Sequence, residues 1–113
     1  MIKRISLMTK QPQASREEFA RHWIDVHAPL AAALPGLRRY VQHHIVREQP
    51  RNDRPTLETQ VDGIAEMWFD DEAAMARANA SPEQAALSAD SALFTGRIKS
   101  LIVESREFVP DAG

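Results

Sequence analysis

Four histidines and a single tyrosine are the side chains through which this 113-residue chain could best hold or move a proton, and it has no cysteine. The missing thiol excludes disulfide scaffolds, thiolate metal sites, iron–sulfur clusters and thiol nucleophiles. His27 lies beside an apolar stripe of Phe19, Trp23 and Leu30, two residues before Pro29. An imidazole titrates near neutrality and apolar walls lower its pKa, so His27 could act as a neutral base facing a pocket. It could equally do no more than bond the backbone carbonyls that Pro29 leaves without partners.

Tyr40 offers a phenol that could polarise a carbonyl or steady an enolate, or it could simply fill the core at a strand start. His43 alternates with Val41 and Ile45. If that face meets the helices, His43 lies under the same cover as His27, and two imidazoles could share acid and base duties. His44 and Glu66 would then look the other way, pairing with Arg4 or with each other. Trp23, Met67, Trp68 and Phe94 read as apolar walls of a substrate pocket. His22 and His27 are five residues apart, about 140° around an α-helix, so they are not expected to chelate one metal from a single face. No Gly-rich phosphate loop, nucleophile elbow or zinc-protease motif occurs.

Six elements must position these residues. Residues 2–9 alternate as a strand, with Lys3, Ile5, Leu7 and Thr9 opposite Ile2, Arg4, Ser6 and Met8. Ser15-Arg-Glu-Glu18 is a capping box that starts a helix, and Phe19, Trp23, Val26 and Leu30 make its apolar face. Pro29 should kink this helix around 25–27 or stop it before Ala28. Leu34-Pro35-Gly36-Leu37 ends the unit. Residues 38–48 and 61–69 suit two further strands, separated by an aperiodic loop at 49–60. Asp70 or Asp71 caps a short helix reaching about Asn79. Ser81-Pro82-Glu83-Gln84 restarts it with a second capping box, Leu87, Leu93 and Phe94 form its apolar face, and Gly96 ends it. Residues 97–108 are a last strand, and the tail from Val109 is loose.

The order β-α-β-β-α-β spells a single α+β domain over 1–113, a ferredoxin-like plait with helices on one face of a four-stranded antiparallel sheet. The other face, with Met8, Tyr40, Val46, Ile64, Trp68 and Ile102 or their neighbours, is too apolar for water. A homodimer stacking sheet on sheet would cover it and form a dimeric α+β barrel. Charge agrees with such complementarity: residues 1–56 hold ten Lys/Arg and five Asp/Glu, and 57–113 hold four and eleven. The arginines are scattered, without a dense basic run or stacking aromatics, so nucleic acid is not an expected partner. Nor is a membrane, since neither a signal peptide nor an unbroken apolar span is legible, and the cytoplasm is the default location.

Trp23-Ile-Asp-Val-His27-Ala-Pro29-Leu30, Leu34-Pro35-Gly36-Leu37-Arg-Arg-Tyr40 and Ala65-Glu66-Met67-Trp68-Phe69-Asp70 together resemble the EthD-type proteins, named after ethyl tert-butyl ether degradation. The resemblance spans roughly residues 2–108. It implies a dimeric α+β barrel with a pocket between helices and sheet, and puts His27 and Tyr40 at the positions of the family histidine and tyrosine. Similar proteins include methylmuconolactone methylisomerase and fungal dehydratases or decarboxylases of polyketide pathways. Met67 stands where that methylisomerase has a cysteine, and the 49–60 loop lacks one of its histidines, so that particular isomerisation is not carried over. Haem-binding relatives share the barrel, but likeness of fold does not license haem. The expectation is a small cofactor-independent enzyme of isomerase or lyase type. It would act on an apolar carbonyl compound such as a lactone, quinone or polyketide-like intermediate, by proton transfer at His27. The alternatives are a non-catalytic accessory protein that holds a hydrophobic intermediate of a degradation pathway, and a purely structural dimer.

Overall fold

The computed structural model describes residues 1–111; Ala112 and Gly113, the end of the expected loose tail, lie outside the described residues. The element order is β1 (Ile2–Lys10), α1 (Arg16–His22), a π-helical turn (Trp23–His27), α2 (Ala28–Ala32), β2 (Arg39–His44), β3 (Gly63–Phe69), α3 (Glu72–Asn79), α4 (Pro82–Phe94) and β4 (Thr95–Val103). All strand pairs are antiparallel, in the order β2-β3-β1-β4. This is the ferredoxin-like α+β plait.

The local signals act as their chemistry requires. The Ser15 hydroxyl accepts from the Glu18 amide at 3.0 Å while the Glu18 carboxylate accepts from the Ser15 amide at 2.8 Å. Asp71 caps α3 through the Ala74 amide, and Ser81 caps α4 through the Gln84 amide with Pro82 behind it. The Gln84 side chain does not close the expected second capping box; it reaches Arg4 and Ser88 instead. Gly36, at φ 75°, makes the left-handed turn after α2 that other residues resist.

Pro29 neither stops the first helix nor merely kinks it. In an α-helix its ring would crowd the Asp25 carbonyl, and it has no N–H to give. The turn before it widens instead, and the Ala28 amide reaches back five residues to the Trp23 carbonyl. The extra residue moves the buried face from the expected Val26 to His27. Phe19, Trp23, His27, Ala31 and Leu34 are buried, whereas Val26 is 47% exposed.

Register settles the two faces of the sheet. Tyr40 pairs with Met67, Gln42 with Ala65 and His44 with Gly63, and Met67 also pairs with Arg4 across β1. Ala65, Met67 and Phe69 are buried, so this is the face under the helices. Met8, Tyr40 and Ile102, expected on the open face, share the helix side by the same register. The open face carries Ile64 and Trp68 as expected, with Leu7, Val41, Leu101 and Val103 taking the remaining places. Val46 lies beyond the end of β2, which stops at His44 because β3 begins at its partner Gly63.

Two more boundaries differ. The last helix ends at Phe94 rather than at Gly96, which lies in β4, where an added Cβ would stand 2.7 Å from the Lys10 carbonyl oxygen. β4 ends at Val103, where its pairing with β1 stops at Lys3, one residue from the start of that strand. Leu93, assigned to the apolar face of this helix, is 67% exposed, and Asp90 takes the inward place between Leu87 and Phe94. Two clusters make up the core, one around Met67, Phe69 and Met75, the other around Met8, Phe19, Trp23 and Phe94; Tyr40 packs against both. No helix among the described residues is long and apolar enough to cross a membrane.

Candidate active site

A cavity of about 400 Å³ opens between the sheet and the helices where the two core clusters meet. Tyr40, Met67 and Arg4 form one row of its floor, adjacent across β2, β3 and β1, and His27, Leu87 and Phe94 come down from the helices. A larger depression of about 830 Å³ lies between the 58–60 segment and the ends of β1 and β4. It has no histidine or tyrosine in its wall, and the expected pair His27 and Tyr40 lines the smaller cavity.

His27 enters this cavity because the π turn rotates it inward. Its Nδ1 stands 2.7 Å from Oδ2 of Asp90, and both side chains are 7% exposed. A carboxylate accepts only, so Nδ1–H donates and Nε2 is left as the basic nitrogen. Nε2 has no protein partner among the described residues and is not sealed from solvent. Burial lowers the His27 pKa from its ordinary 6.5, and the hydrogen bond and charge of Asp90 oppose this only in part. The resting ring is therefore neutral at neutral pH.

His22 completes the arrangement from the other side, with Nε2 at 2.9 Å and 3.1 Å from the two oxygens of Asp90. The expectation that His22 and His27 point apart held for an α-helix. Across a turn closed by an i to i+5 bond, five residues return to nearly the same side, and both rings reach one carboxylate. Phe94 packs between them, 4.7 Å from His22 and 4.9 Å from His27 by ring centres. No group of three or more His, Asp or Glu side chains among the described residues is arranged to hold a metal ion.

Tyr40 is held by Gln42. The Gln42 amide nitrogen donates to the Tyr40 hydroxyl at 2.8 Å and to the Trp23 carbonyl at 2.9 Å, while its oxygen faces Nε2 of His44 at 2.9 Å. Since the phenol oxygen accepts from Gln42, its own hydrogen is free for a molecule in the cavity. Burial raises the Tyr40 pKa, against smaller opposing effects of Gln42 and the nearby Trp23 indole. The phenol thus stays protonated at neutral pH. The indole N–H lies close without hydrogen-bond geometry and is buried without a partner.

His27, Tyr40, Met67 and Phe94 are brought together at the cavity; three other expected site residues are not. Trp23 is fully buried beneath it, between Phe19 and the ring of His44. His43 lies on the open face, because register turns its neighbours Tyr40, Gln42 and His44 toward the helices. There its Nε2 is 2.6 Å from Glu66, which also holds Lys3 at 2.7 Å. Burial pushes the Glu66 pKa up, but its bonds from Lys3 and His43 outweigh that and hold it below the ordinary value. Trp68 is on the same open face, with Lys3 and Arg39 stacked 4.7 Å and 4.6 Å from its ring. Nor does Arg4 pair with His44 or Glu66, since it points under the helices. Burial lowers the pKa of His44.

Sequence reasoning missed Asp90, Gln42 and Arg4. Asp90 had a readable signal: a lone acid at the helical spacing between Leu87 and Phe94 is an acid on an apolar face. Gln42 shares a strand face with Tyr40 and His44, and Arg4 with Met8. Neither position announces its partner.

The EthD domain model matches residues 11–98. No curated protein is significantly similar to the chain. An EthD family protein from Bacillus halodurans is 30% identical, with a TM-score of 0.76 over 94% of this chain and 99% of that one. A dimeric ferredoxin-like protein of unknown function from Thermobifida fusca is 17% identical, with a TM-score of 0.67 over 90% of this chain and 88% of that one. SnoaB, a cofactor-independent oxygenase from Streptomyces nogalater, is 16% identical, with a TM-score of 0.65 over 97% of each chain. The last two share the fold alone. With most of its length inside the family model, its pocket histidine and tyrosine on the W-x-x-x-H-x-P and P-G-L-x-x-Y segments, and a 30% identical relative of matching length, this chain belongs to the EthD family.

Proposed function

We propose that the protein is a cofactor-independent acid/base enzyme acting on a small, largely apolar carbonyl compound such as a lactone, quinone or polyketide-like intermediate. The observation that carries this reading is the 2.7 Å bond from His27 Nδ1–H to Asp90, which leaves a neutral, basic Nε2 at a cavity shared with the free phenol hydrogen of Tyr40. Nε2 removes a proton from the carbon next to the carbonyl, and Tyr40 donates to the oxygen as it gains charge. Asp90 stabilises the imidazolium so formed. The same imidazolium returns the proton at another position, an isomerisation, or to a departing group, an elimination. Met67 and Phe94 supply apolar walls.

The protein acts as a homodimer through its open sheet face. Ile64, Trp68 and Leu101 lie there among other apolar side chains, and His43, Glu66 and Lys3 form a paired polar patch beside them. This assigns His43 and Trp68 to the interface rather than to the chemistry.

The test is proton exchange. Cyclic ketones and lactones in heavy water are followed by NMR with wild type and His27→Ala. Exchange next to the carbonyl that falls by ~100-fold or more in the variant supports the reading. Binding without exchange in wild type would instead support an accessory protein that holds the compound.

A further inference from the structure

Resting on the reading of the cavity as a carbonyl-binding site, we propose that Arg4 makes it selective for carbonyl compounds that carry a carboxylate, which the guanidinium seats. Arg4 is half-buried on the cavity floor. Its Nη1 donates to Asn79 Oδ1 at 2.6 Å, and its Nη2 to Met67 Sδ at 3.1 Å and Gln84 Oε1 at 3.3 Å. All three acceptors are neutral, and one is a thioether. No carboxylate lies within ion-pair distance of Arg4 among the described residues. The cavity wall itself contains no Asp or Glu.

A half-buried cation without a counter-ion is costly, and a guanidinium does not escape the cost by losing its proton. Three of its five N–H groups are occupied, so Nε–H and the second Nη1–H remain for an anion. The two point to different edges of the guanidinium, so a carboxylate oxygen accepts a charge-assisted bond from one of them.

The cavity bounds the size of the compound. Arg4 and Tyr40 flank Met67 on the same face, so their backbones are two strand spacings apart, about 10 Å. Arg4, Tyr40 and His27 line the one cavity, so a carboxylate on Arg4 and a carbonyl at Tyr40 and His27 belong to a single small ring compound. The pocket of about 400 Å³ holds a molecule of that size. The hydroxyls of Ser6 and Ser100, 3.1 Å apart, line the next row of the floor and bring no negative charge.

The experiment compares 3-oxocyclohexane-1-carboxylate with its methyl ester by titration calorimetry on wild type, Arg4→Gln and Arg4→Lys, each checked for folding by thermal denaturation. Wild type should bind the carboxylate at least ~10-fold more tightly than the ester. Arg4→Gln should bring that ratio near one, and Arg4→Lys should retain part of it. A merely structural Arg4, bracing β1 against α3 and α4, would lower the melting temperature of the variants without moving the ratio. Equal binding of the two compounds by wild type, binding of neither, or a ratio unchanged in Arg4→Gln overturns the proposal. Should Arg4→Gln fail to fold, a wild-type ratio retained in part by Arg4→Lys supports it, and a wild-type ratio near one overturns it. Proton exchange keeps the two ideas apart. Selective carboxylate binding without His27-dependent exchange removes the catalytic reading and leaves Arg4 as the anion seat, whereas exchange without selectivity does the reverse.

Discussion

Asp90 of α4 holds His27 of the π turn by a 2.7 Å hydrogen bond between residues 63 apart in sequence. The bond ties the proton state of the cavity's imidazole to a carboxylate behind it. His22 occupies the other side of the same carboxylate, so the bond's loss and its neutralisation have different consequences.

Asp90→Asn keeps the shape of the side chain and removes its charge. The amide no longer dictates that Nδ1 carry the proton, and it cannot stabilise an imidazolium. Turnover should fall by ~100-fold or more, chiefly in kcat with KM little changed. Steady-state kinetics checks this, and a wild-type kcat in the variant would remove Asp90 from the mechanism.

His27→Ala should lower turnover by ~100-fold or more as well. It also empties a packed position against Phe94 and leaves Asp90 to His22 alone. Stability should drop by ~1–3 kcal/mol, measured by urea denaturation. A two- or three-fold fall in turnover would retire His27 as the base.

Stability should decline as pH falls below about 6.5. Burial holds His27 and His44 below that ordinary value in the folded chain. Just below it, the unfolded chain binds protons that the folded chain does not, so stability rises with pH through this window and is complete above it. Urea midpoints at pH 5.5 and 7.5 should differ, with the lower pH less stable. The double variant His27→Gln, His44→Gln should show a smaller difference, and an unchanged one would mean that other groups titrate there.

Gly63→Ala should destabilise the protein by ~1–3 kcal/mol. The added Cβ would stand 2.7 Å and 2.8 Å from two ring carbons of Trp23 and 3.3 Å from Phe19. Both rings are packed in the core and have nowhere to retreat. Because Trp23 lies under Gln42 and His44, the cavity should loosen too. Thermal denaturation reports the first effect, and weaker ligand binding the second.

Trp68→Glu puts a negative charge on the open sheet face. Wild type should sediment as a dimer at micromolar concentration and the variant as a monomer. Moderate salt should weaken the wild-type dimer only slightly, because apolar contact dominates. A monomeric wild type would end the sheet-on-sheet proposal.

Interactions that reach only a few residues along the chain are legible without the fold. The caps at Ser15 and Ser81, the turn at Gly36 and the strand and helix periods all belong to this class, and they yield the element order and the plait. Asp71 was one of two adjacent candidates, and only backbone geometry chose between them. His27 and Tyr40 stand out by their chemistry, each with a structural role beside the functional one.

Tertiary structure decided the rest, for three physical reasons. A strand has two faces and period two names neither as inner, so pairing of Tyr40 with Met67 was needed to turn His44 inward and His43 outward. One residue inserted in a helical turn shifts the buried face by a position, and whether Pro29 breaks or widens a helix depends on what packs against it; here that exchanges Val26 for His27. Asp90 and Arg4 take their meaning from partners 63 or more residues away, and a sequence carries no local mark of which distant side chains will meet.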